Sequence, residues 1–397
     1  MQLRRCAQLM VELDQEPRFD FSTLLRGGDG LDRSARWRVF APHLVEPVTV
    51  TLAQLAVLEA CDREKPEAID ELAASHAADD VQALVELGLL LDAGAVEDDR
   101  SRRDATLRDI AWWPPAAAAQ AHGAWDGIDI QARNEIGLML SSEQMVEAFG
   151  TPPQHEYRRT AEPGVALPPP QRREFDALLA RRKTCRNFDG AATIAATDLA
   201  TMLHRVWGAI GTLELAPGAI AVKKNSPAGG GLHAVEAYVL VQRAEGLAPG
   251  LYHYLAIDHA LEPLQALAAE DAAALAHRFV AGQNWFANVP VMVVMTARFD
   301  RLFWKYRRHT KAWRVVHLDV GHLSQTMYLS AADLGLGAFV TAAINDREVE
   351  RALDLAPMRE GAIAIVGFGP RAAEKTTLEL DDLVPTAASR AAALPPG

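Results

Sequence analysis

Three short stretches hold the residue types best suited to chemistry. The first is Arg181-Arg182-Lys183-Thr184-Cys185-Arg186-Asn187-Phe188-Asp189. In an extended chain, alternate side chains share one side, so Arg182, Thr184 and Arg186 project together. Two guanidiniums and a hydroxyl so placed suit a phosphate, through charge-assisted hydrogen bonds. The same residues also read as a solvated basic helix end that complements the helix dipole. The second stretch is Asn225-Ser226-Pro227-Ala228-Gly229-Gly230-Gly231-Leu232-His233. Its small residues let backbone approach a flat ligand or another chain closely. The bland alternative is a flexible surface loop, anchored at one end by the strand that follows. The third is Leu334-Gly335-Leu336-Gly337-Ala338-Phe339-Val340-Thr341-Ala342-Ala343. It is a tight turn into apolar backbone and, alone, an ordinary helix C-cap. His233 and His322 have no second ligand at metal-binding spacing, so no metal site is expected. The cations around Cys185 could lower its pKa.

The elements that must position these residues fall into three zones. In residues 1–100, Thr51 can cap a helix carrying Leu52, Leu55 and Leu58. Pro66 suits the first turn of a second helix with Ile69, Leu72 and Ala73. Asp79 or Asp80 can cap a third, with Val81, Leu84, Val85 and Leu87, stopped by Gly88 before a short strand at 89–91. Three short helices and a strand look like a winged helix. This zone offers acids and alanines where a DNA-reading helix needs Lys and Arg, so peptide binding or a structural cap fits it better. Residues 101–166 hold an Ala-rich helix at 116–121 and then a Pro-rich run (Pro152-Pro153, Pro163-Gly164) that continues into Pro168-Pro169-Pro170 and reads as a linker.

Residues 167–397 alternate helices and strands. Helices are expected over 171–182, 198–207, 266–276 and 318–334. Strands are expected over 237–242, 251–255, 289–296 and 362–368, the last two being nearly all apolar and so buried. No GxGxxG opens a helix after a strand and no GxxxxGK[ST] is present, so neither a Rossmann fold nor a P-loop is supported.

Taken in order, the three stretches resemble flavin-dependent nitroreductase-like proteins, and more narrowly the SagB-type azoline dehydrogenases of peptide maturation. The narrower resemblance rests on SPAGGGLHAVEAYVLV (226–241), GLAPGLYHY (246–254), Lys305-Tyr306 and WRVVHLDVGHLSQTMYLSAADLGLG (313–337). It implies an α+β fold: a nitroreductase-like FMN domain with a central antiparallel-rich sheet covered by helices, dimeric, behind an N-terminal winged-helix-like domain. It implies that Arg182, Thr184 and Arg186 hold the FMN phosphate and ribityl chain, and that Arg371 returns to the phosphate. Ser226, Pro227, Ala228 and Gly229 match the loop that reaches the flavin from a second subunit. Val340, Thr341, Ala342 and Ala343 match backbone that runs past the flavin. Helix 318–334 looks like the central dimer helix. Three positions depart from the family: Ala228 replaces the usual serine, Ala234 the usual proline, and Thr184, a mild change, a serine of the first motif.

Lys305 and Tyr306 match a Lys-Tyr pair of the azoline dehydrogenases. Aromatising an azoline removes a proton from carbon together with a hydride, and a lysine can take the proton if burial lowers its pKa. Adjacent residues can act together only in a loop or helix turn. Lys305 also belongs to a basic run (Arg301, Lys305, Arg307, Arg308, His309, Lys311, Arg314) that reads equally as a solvated face or as a surface for an acidic leader peptide.

Bulk properties bound the rest. The chain has 397 residues, enough for two or three domains. With 49% hydrophobic and 23% charged residues it is globular. Its net charge of −12 argues against a general nucleic-acid binder. Cys6, Cys61 and Cys185 are far apart, and no signal peptide or 18-residue apolar run is present, which fits a reducing, cytoplasmic setting and no membrane span. The expectation is an FMN-dependent dehydrogenase acting on a ribosomally made precursor peptide, homodimeric, with a cyclodehydratase as possible partner. Its rivals are an NAD(P)H-dependent reductase of nitro, quinone or dehydroamino-acid groups on the same fold, and a flavin-free peptide-binding scaffold.

Overall fold

The computed structural model describes residues 1–34, 36–95, 98–132, 141–156, 159–160, 164–168, 170–171 and 173–380. Pro163 and Pro169, named above, lie outside the described residues, as do residue 172 of the expected helix 171–182 and everything after residue 380. The chain divides into two compact units that interleave along the sequence, where the sequence reading divided it linearly at 100 and 166. One unit is Met1–Trp125, Ala297–Leu318 and Glu350–Ala362; the other is Asp126–Thr296, Asp319–Val349 and Ile363–Gly397.

The first unit contains the expected N-terminal helices. Leu52–Ala60 is capped by Thr51, whose side chain accepts from Gln54 N while Gln54 reaches back to the Thr51 N–H. Ile69–Ser75 and Ala78–Glu86 follow. Two details differ from expectation. Pro66 precedes a two-residue strand, Glu67–Ala68, and not a first helical turn. Asp79 and Asp80 sit inside the first turn, where they complement the dipole, and Ala77 is the cap. Gly88 has φ +77, a left-handed stop that frees the chain for the strand Leu90–Asp92. That strand and Glu67–Ala68 pair antiparallel on either side of Gln2–Arg5. A second sheet orders Met10–Asp14, Arg36–Phe40 and Val48–Val50. Leu3, Val39, Val57, Leu72, Val81 and Leu84 close one core between these elements.

The helix Phe299–Tyr306 also belongs to this unit. Phe299, Leu302 and Phe303, at i, i+3 and i+4, are buried. Trp112, fully buried, lies 4.5 Å from both phenylalanine rings and donates its indole N–H to Met358 O. With that face fixed inward, Trp304 and Lys305 must face outward.

The second unit is organised by a six-stranded sheet in the order Ala260–Ala266, Gly250–Leu255, Val235–Val241, Val291–Arg298, Glu360–Gly369, Gly337–Thr341. The two all-apolar runs of the sequence are two neighbouring inner strands, Val291–Arg298 and Glu360–Gly369, and Val291 to Ala297 are buried without a break. Helix Ala196–Trp207 packs Leu199, Met202, Leu203 and Val206 on this core. The long helix starts at Ala312, earlier than expected, because its buried stripe (Ala312, Val316, Val320, Leu323, Met327, Ala331) begins there. A hairpin unread in the sequence, Ala209–Ala216 with Ala219–Lys224, turns at Gly218, whose φ is +77. Ile210, Leu213, Leu215 and Ile220 on it are exposed. Among the described residues no helix is long and apolar enough to cross a membrane.

Candidate functional site

Helix Glu174–Arg181 ends because Arg182 leaves helical geometry, at ψ 118. The chain then runs extended beside the strand Gly337–Thr341. Cys185 N donates to Ala338 O at 2.8 Å, and Phe188 bridges Arg371. The extended backbone turns Cys185 fully inward. Arg182, Thr184 and Arg186 are brought together as expected, on the wall of a 610 Å³ cavity that Arg181, Lys183, Arg371, Gly335 and Leu336 also line. Five cations and a hydroxyl around one space of this size suit a ligand carrying phosphate.

A carboxylate that sequence reasoning missed holds this cradle. Glu379 accepts from the backbone N–H of Arg186 at 2.6 Å and of Asn187 at 3.1 Å, and from Asn187 Nδ2 at 3.0 Å. Arg371 Nη1 pairs with it at 3.2 Å, and its side chain is 1% exposed. Burial alone would raise the Glu379 carboxyl, but these donors and Arg371 outweigh it and hold the pKa below the ordinary value. Asn187 Oδ1 in turn accepts from the N–H groups of Thr376 and Thr377. The basic segment is thus clamped to residues 376–379, nearly two hundred positions away in sequence.

Tyr328 is the second residue that the sequence did not single out. Its hydroxyl accepts from Val340 N at 3.1 Å and bonds Thr184 Oγ1 at 3.0 Å. The Arg182 guanidinium lies over its ring, 5.4 Å from the centroid. One side chain of the long helix therefore ties the basic segment to the strand that carries Val340. A tyrosine inside "QTMYLSAAD" gives no local sign of this, because the contact is made through the fold.

The two glycines after the helix have different roles. Gly335, at φ +72, is the left-handed cap. Gly337 is needed for close approach: a Cβ there would stand 2.6 Å from Cys185 Sγ. Beyond the strand, buried Gln283 donates to Ala343 O and to Thr341 Oγ1, fixing the backbone of Thr341, Ala342 and Ala343. The Cys185 thiol is pushed up to about 11 by burial, with Arg371 pulling weakly the other way. The cations that the sequence placed beside it do not activate it.

The glycine-rich loop is anchored at both ends. Buried Ser226 bonds Thr326 Oγ1 at 2.7 Å, and Gly229 N donates to Asp319 Oδ1 at 2.9 Å. Burial raises the Asp319 carboxyl, opposed by the Gly229 N–H and by His322. Pro227 and Ala228 line a small pocket with Lys224, His233 and Asp319. This pocket and the cationic cavity use different stretches of the long helix and share no residue. The structure brings Arg182, Thr184, Arg186 and Arg371 together and joins Val340 to them through Tyr328. It does not merge the 226–229 loop into the same cavity.

Lys305 and Tyr306 occupy the last turn of Phe299–Tyr306, in the first unit. A helix turn is one of the two settings in which neighbours can act together. Lys305 is exposed, with Nζ 5.7 Å from the centroid of the Tyr306 ring.

Comparison with known proteins falls on the same region. The Nitroreductase family model matches residues 179–370. A Methanocaldococcus jannaschii protein named as a nitroreductase, MJ1384, is 25% identical over 191 residues, covering 48% of this chain and 89% of the relative. The trifolitoxin-processing protein TfxB of Rhizobium leguminosarum bv. trifolii is 30% identical over 149 residues, 36% of this chain and 38% of the relative. Among solved structures, the E. coli microcin synthetase McbBCD complex with truncated pro-MccB17 bound is 18% identical at a TM-score of 0.47, over 63% of this chain and 89% of that one. A nitroreductase structure from Ralstonia eutropha JMP134 is 24% identical at a TM-score of 0.41, over 52% and 89%. The helices and antiparallel strands around the cationic cavity are a nitroreductase-like fold, and the match of residues 179–370 to the Nitroreductase family indicates an oxidoreductase.

Proposed function

We propose that residues 167–397 form an FMN-binding domain that dehydrogenates a ribosomally made peptide, oxidising an azoline or a related C–H bond. The observation that carries this reading is the cationic cavity, where Arg182, Thr184, Arg186 and Arg371 converge. A flavin's phosphate fits that donor set: the guanidiniums offer paired N–H bonds and the Thr184 hydroxyl a further contact. FMN, when bound, supplies the two-electron acceptor for a hydride leaving substrate carbon. The strand and turn at Val340, Thr341, Ala342 and Ala343 are held rigid by Tyr328 and Gln283, as a surface against a flat ring must be.

The substrate class comes from TfxB, a relative named for processing trifolitoxin. An azoline would be supplied by a cyclodehydratase, which is the partner this reading implies. Lys305 is assigned the proton lost from carbon, and Tyr306 a hydrogen bond to the ring heteroatom. Because Lys305 is exposed, the bound peptide must supply the desolvation that a lysine base needs. A homodimer is part of the proposal: the exposed apolar hairpin and the loop 226–229 after it are the surfaces a second copy would cover. The N-terminal helices are assigned to peptide binding, and the three free cysteines fit a cytoplasmic setting.

The test is spectroscopic. The purified protein should be yellow, or become so with FMN, and its bound flavin should stay oxidised when mixed anaerobically with NADPH. A protein that takes up no FMN sinks the flavin reading in favour of a peptide-binding scaffold. Rapid bleaching by NADPH favours the reductase.

A further inference from the structure

The first unit holds a second cationic site, and of its basic run the proposed redox chemistry uses Lys305 alone. Residues 301–318 contain six Arg or Lys, two His and no Asp or Glu, in a chain whose net charge is −12. The middle of this run is an irregular turn. Arg307 and Arg308 have φ of +22 and +47, a region that costs a side-chain-bearing residue about 1 kcal/mol or more. The turn is held in place by Arg308 N, which donates to Ala111 O at 2.6 Å.

Beside the turn lies a 430 Å³ cavity lined by Trp113, Thr310, Lys311, Trp313, Arg314 and His317. Both indoles are half-buried, so each keeps an open face. Trp313 is fixed: its N–H reaches Gln120 Oε1 at 3.3 Å, and His317 packs edge-on against it at 4.4 Å. Arg307, Arg308, Lys311 and Arg314 are exposed, and among the described residues none of them has a carboxylate partner. Elsewhere in this unit arginines do find acids: Arg359 with Asp109, Arg33 with Asp29, Arg103 with Asp99. Four neighbouring cations without a carboxylate among the described residues, beside two half-buried indoles, form a surface that lacks its anionic partner.

We propose that this cavity docks an acidic peptide segment, with carboxylates on Lys311, Arg314 and the Arg307-Arg308 turn and an apolar side chain between Trp113 and Trp313. Choosing a peptide over a nucleic acid rests on the functional reading above and on charge. An acidic chain repels a phosphate backbone at long range. A short acidic segment meets only the local patch, because charges farther away than about 10 Å are screened at ordinary salt. The site would hold a part of the substrate other than the ring being oxidised.

The test uses the full-length protein and a fluorescein-labelled twelve-residue peptide of alternating Glu and Leu, followed by anisotropy. The same peptide with Gln for Glu and a single-stranded oligo-dT of equal length are the comparisons. Lys311→Glu with Arg314→Glu should weaken the Glu–Leu peptide at least tenfold, and so should replacing Glu by Gln. Raising salt from about 50 to 300 mM should weaken it several-fold, since the contacts are exposed ion pairs. Trp313→Phe, which keeps an aromatic wall, should weaken it less than the charge reversal. No binding of the Glu–Leu peptide, binding unchanged by the charge reversal, or tighter binding of oligo-dT each overturns the proposal. Flavin content separates its failure from that of the functional reading. A yellow protein that ignores the peptide loses only the docking site. A colourless one that binds it loses only the flavin.

Discussion

The chain has two basic segments of similar composition, and they fold to opposite ends. In 181–186 the backbone is extended, so alternate residues divide between core and cavity: Cys185 is buried and the arginines on either side converge. In 301–314 the backbone is a short helix, a turn and the start of the long helix, so its cations spread around the outside while Phe299, Leu302 and Phe303 take the buried face. The first segment meets a buried carboxylate, Glu379, and an aromatic, Tyr328, which fix it before any ligand arrives. The cations Arg307, Arg308, Lys311 and Arg314 meet no carboxylate among the described residues. Charge count alone separates neither case; backbone geometry and the distant partners do. A preorganised site spends its binding energy on the ligand, whereas a loose one must first order its side chains.

This contrast breaks most easily at the arginines. Arg182→Ala with Arg186→Ala should remove two charge-assisted bonds worth about 1.5–3 kcal/mol each. Flavin affinity should then fall by about 10²–10⁴, read as loss of yellow colour and by FMN titration. Full occupancy in the double variant would return the segment to a mere helix end. The matching change in the other segment, Lys311→Ala with Arg314→Ala, should leave flavin content untouched and stability within about 0.5 kcal/mol, as for any solvated face.

The next effect is steric. Gly337→Ala puts a methyl group 2.6 Å from Cys185 Sγ and 2.9 Å from its Cβ, on two fixed backbones. Overpacking of this kind costs about 1–3 kcal/mol. A denaturant melt should show the loss, and FMN affinity should fall with it, since the same shift moves Arg186. An unchanged melt would mean that the strand and the basic segment are not held as tightly as the geometry implies.

Glu379→Gln tests the carboxylate. It leaves the N–H groups of Arg186 and Asn187 and the Arg371 guanidinium without an anion, a cost of about 1–3 kcal/mol near neutral pH. The sign with pH follows from the lowered folded pKa. The carboxylate's contribution is complete above its ordinary 4.5 and fades as the pH falls through the folded value. The stability gap between wild type and variant should therefore be widest near neutrality and close in acid. A gap independent of pH would mean that shape, not charge, is what Glu379 provides.

These residues also mark how far the sequence could be read. Arg182, Thr184 and Arg186 were legible because period-two alternation is local, and the inner strands because continuous apolar runs are. Thr51 was legible as a cap because the cap and its partner are three residues apart. Glu379 and Tyr328 were not legible, since each reaches the basic segment from 144 or more positions away. The hairpin 209–224 was missed because its apolar residues stay exposed and form no core-facing pattern. Among the described residues, the first fifty hold six short strands and a five-residue helix, pieces too brief for periodicity to register. Lys305 was found by resemblance, yet its exposure was set by Trp112, a residue that only the fold brings near.

The smallest expected effect is the most diagnostic of preorganisation. Tyr328→Phe keeps the ring under Arg182 and removes one oxygen. Val340 N–H then loses its acceptor, and Thr184 can turn its hydroxyl elsewhere. The net cost to folding should be about 0.5–1.5 kcal/mol, that of one hydrogen bond. If the bond serves only the fold, FMN affinity should fall by no more than that same small factor. If it positions the strand against the flavin, the visible spectrum and reduction potential of the bound flavin should shift while the arginines still hold the phosphate. The second result would extend the contrast between the segments from charge to geometry: the first is tied through its side chains by an oxygen atom shared between two distant strands of chain, the second through its backbone, by Arg308 N on Ala111 O.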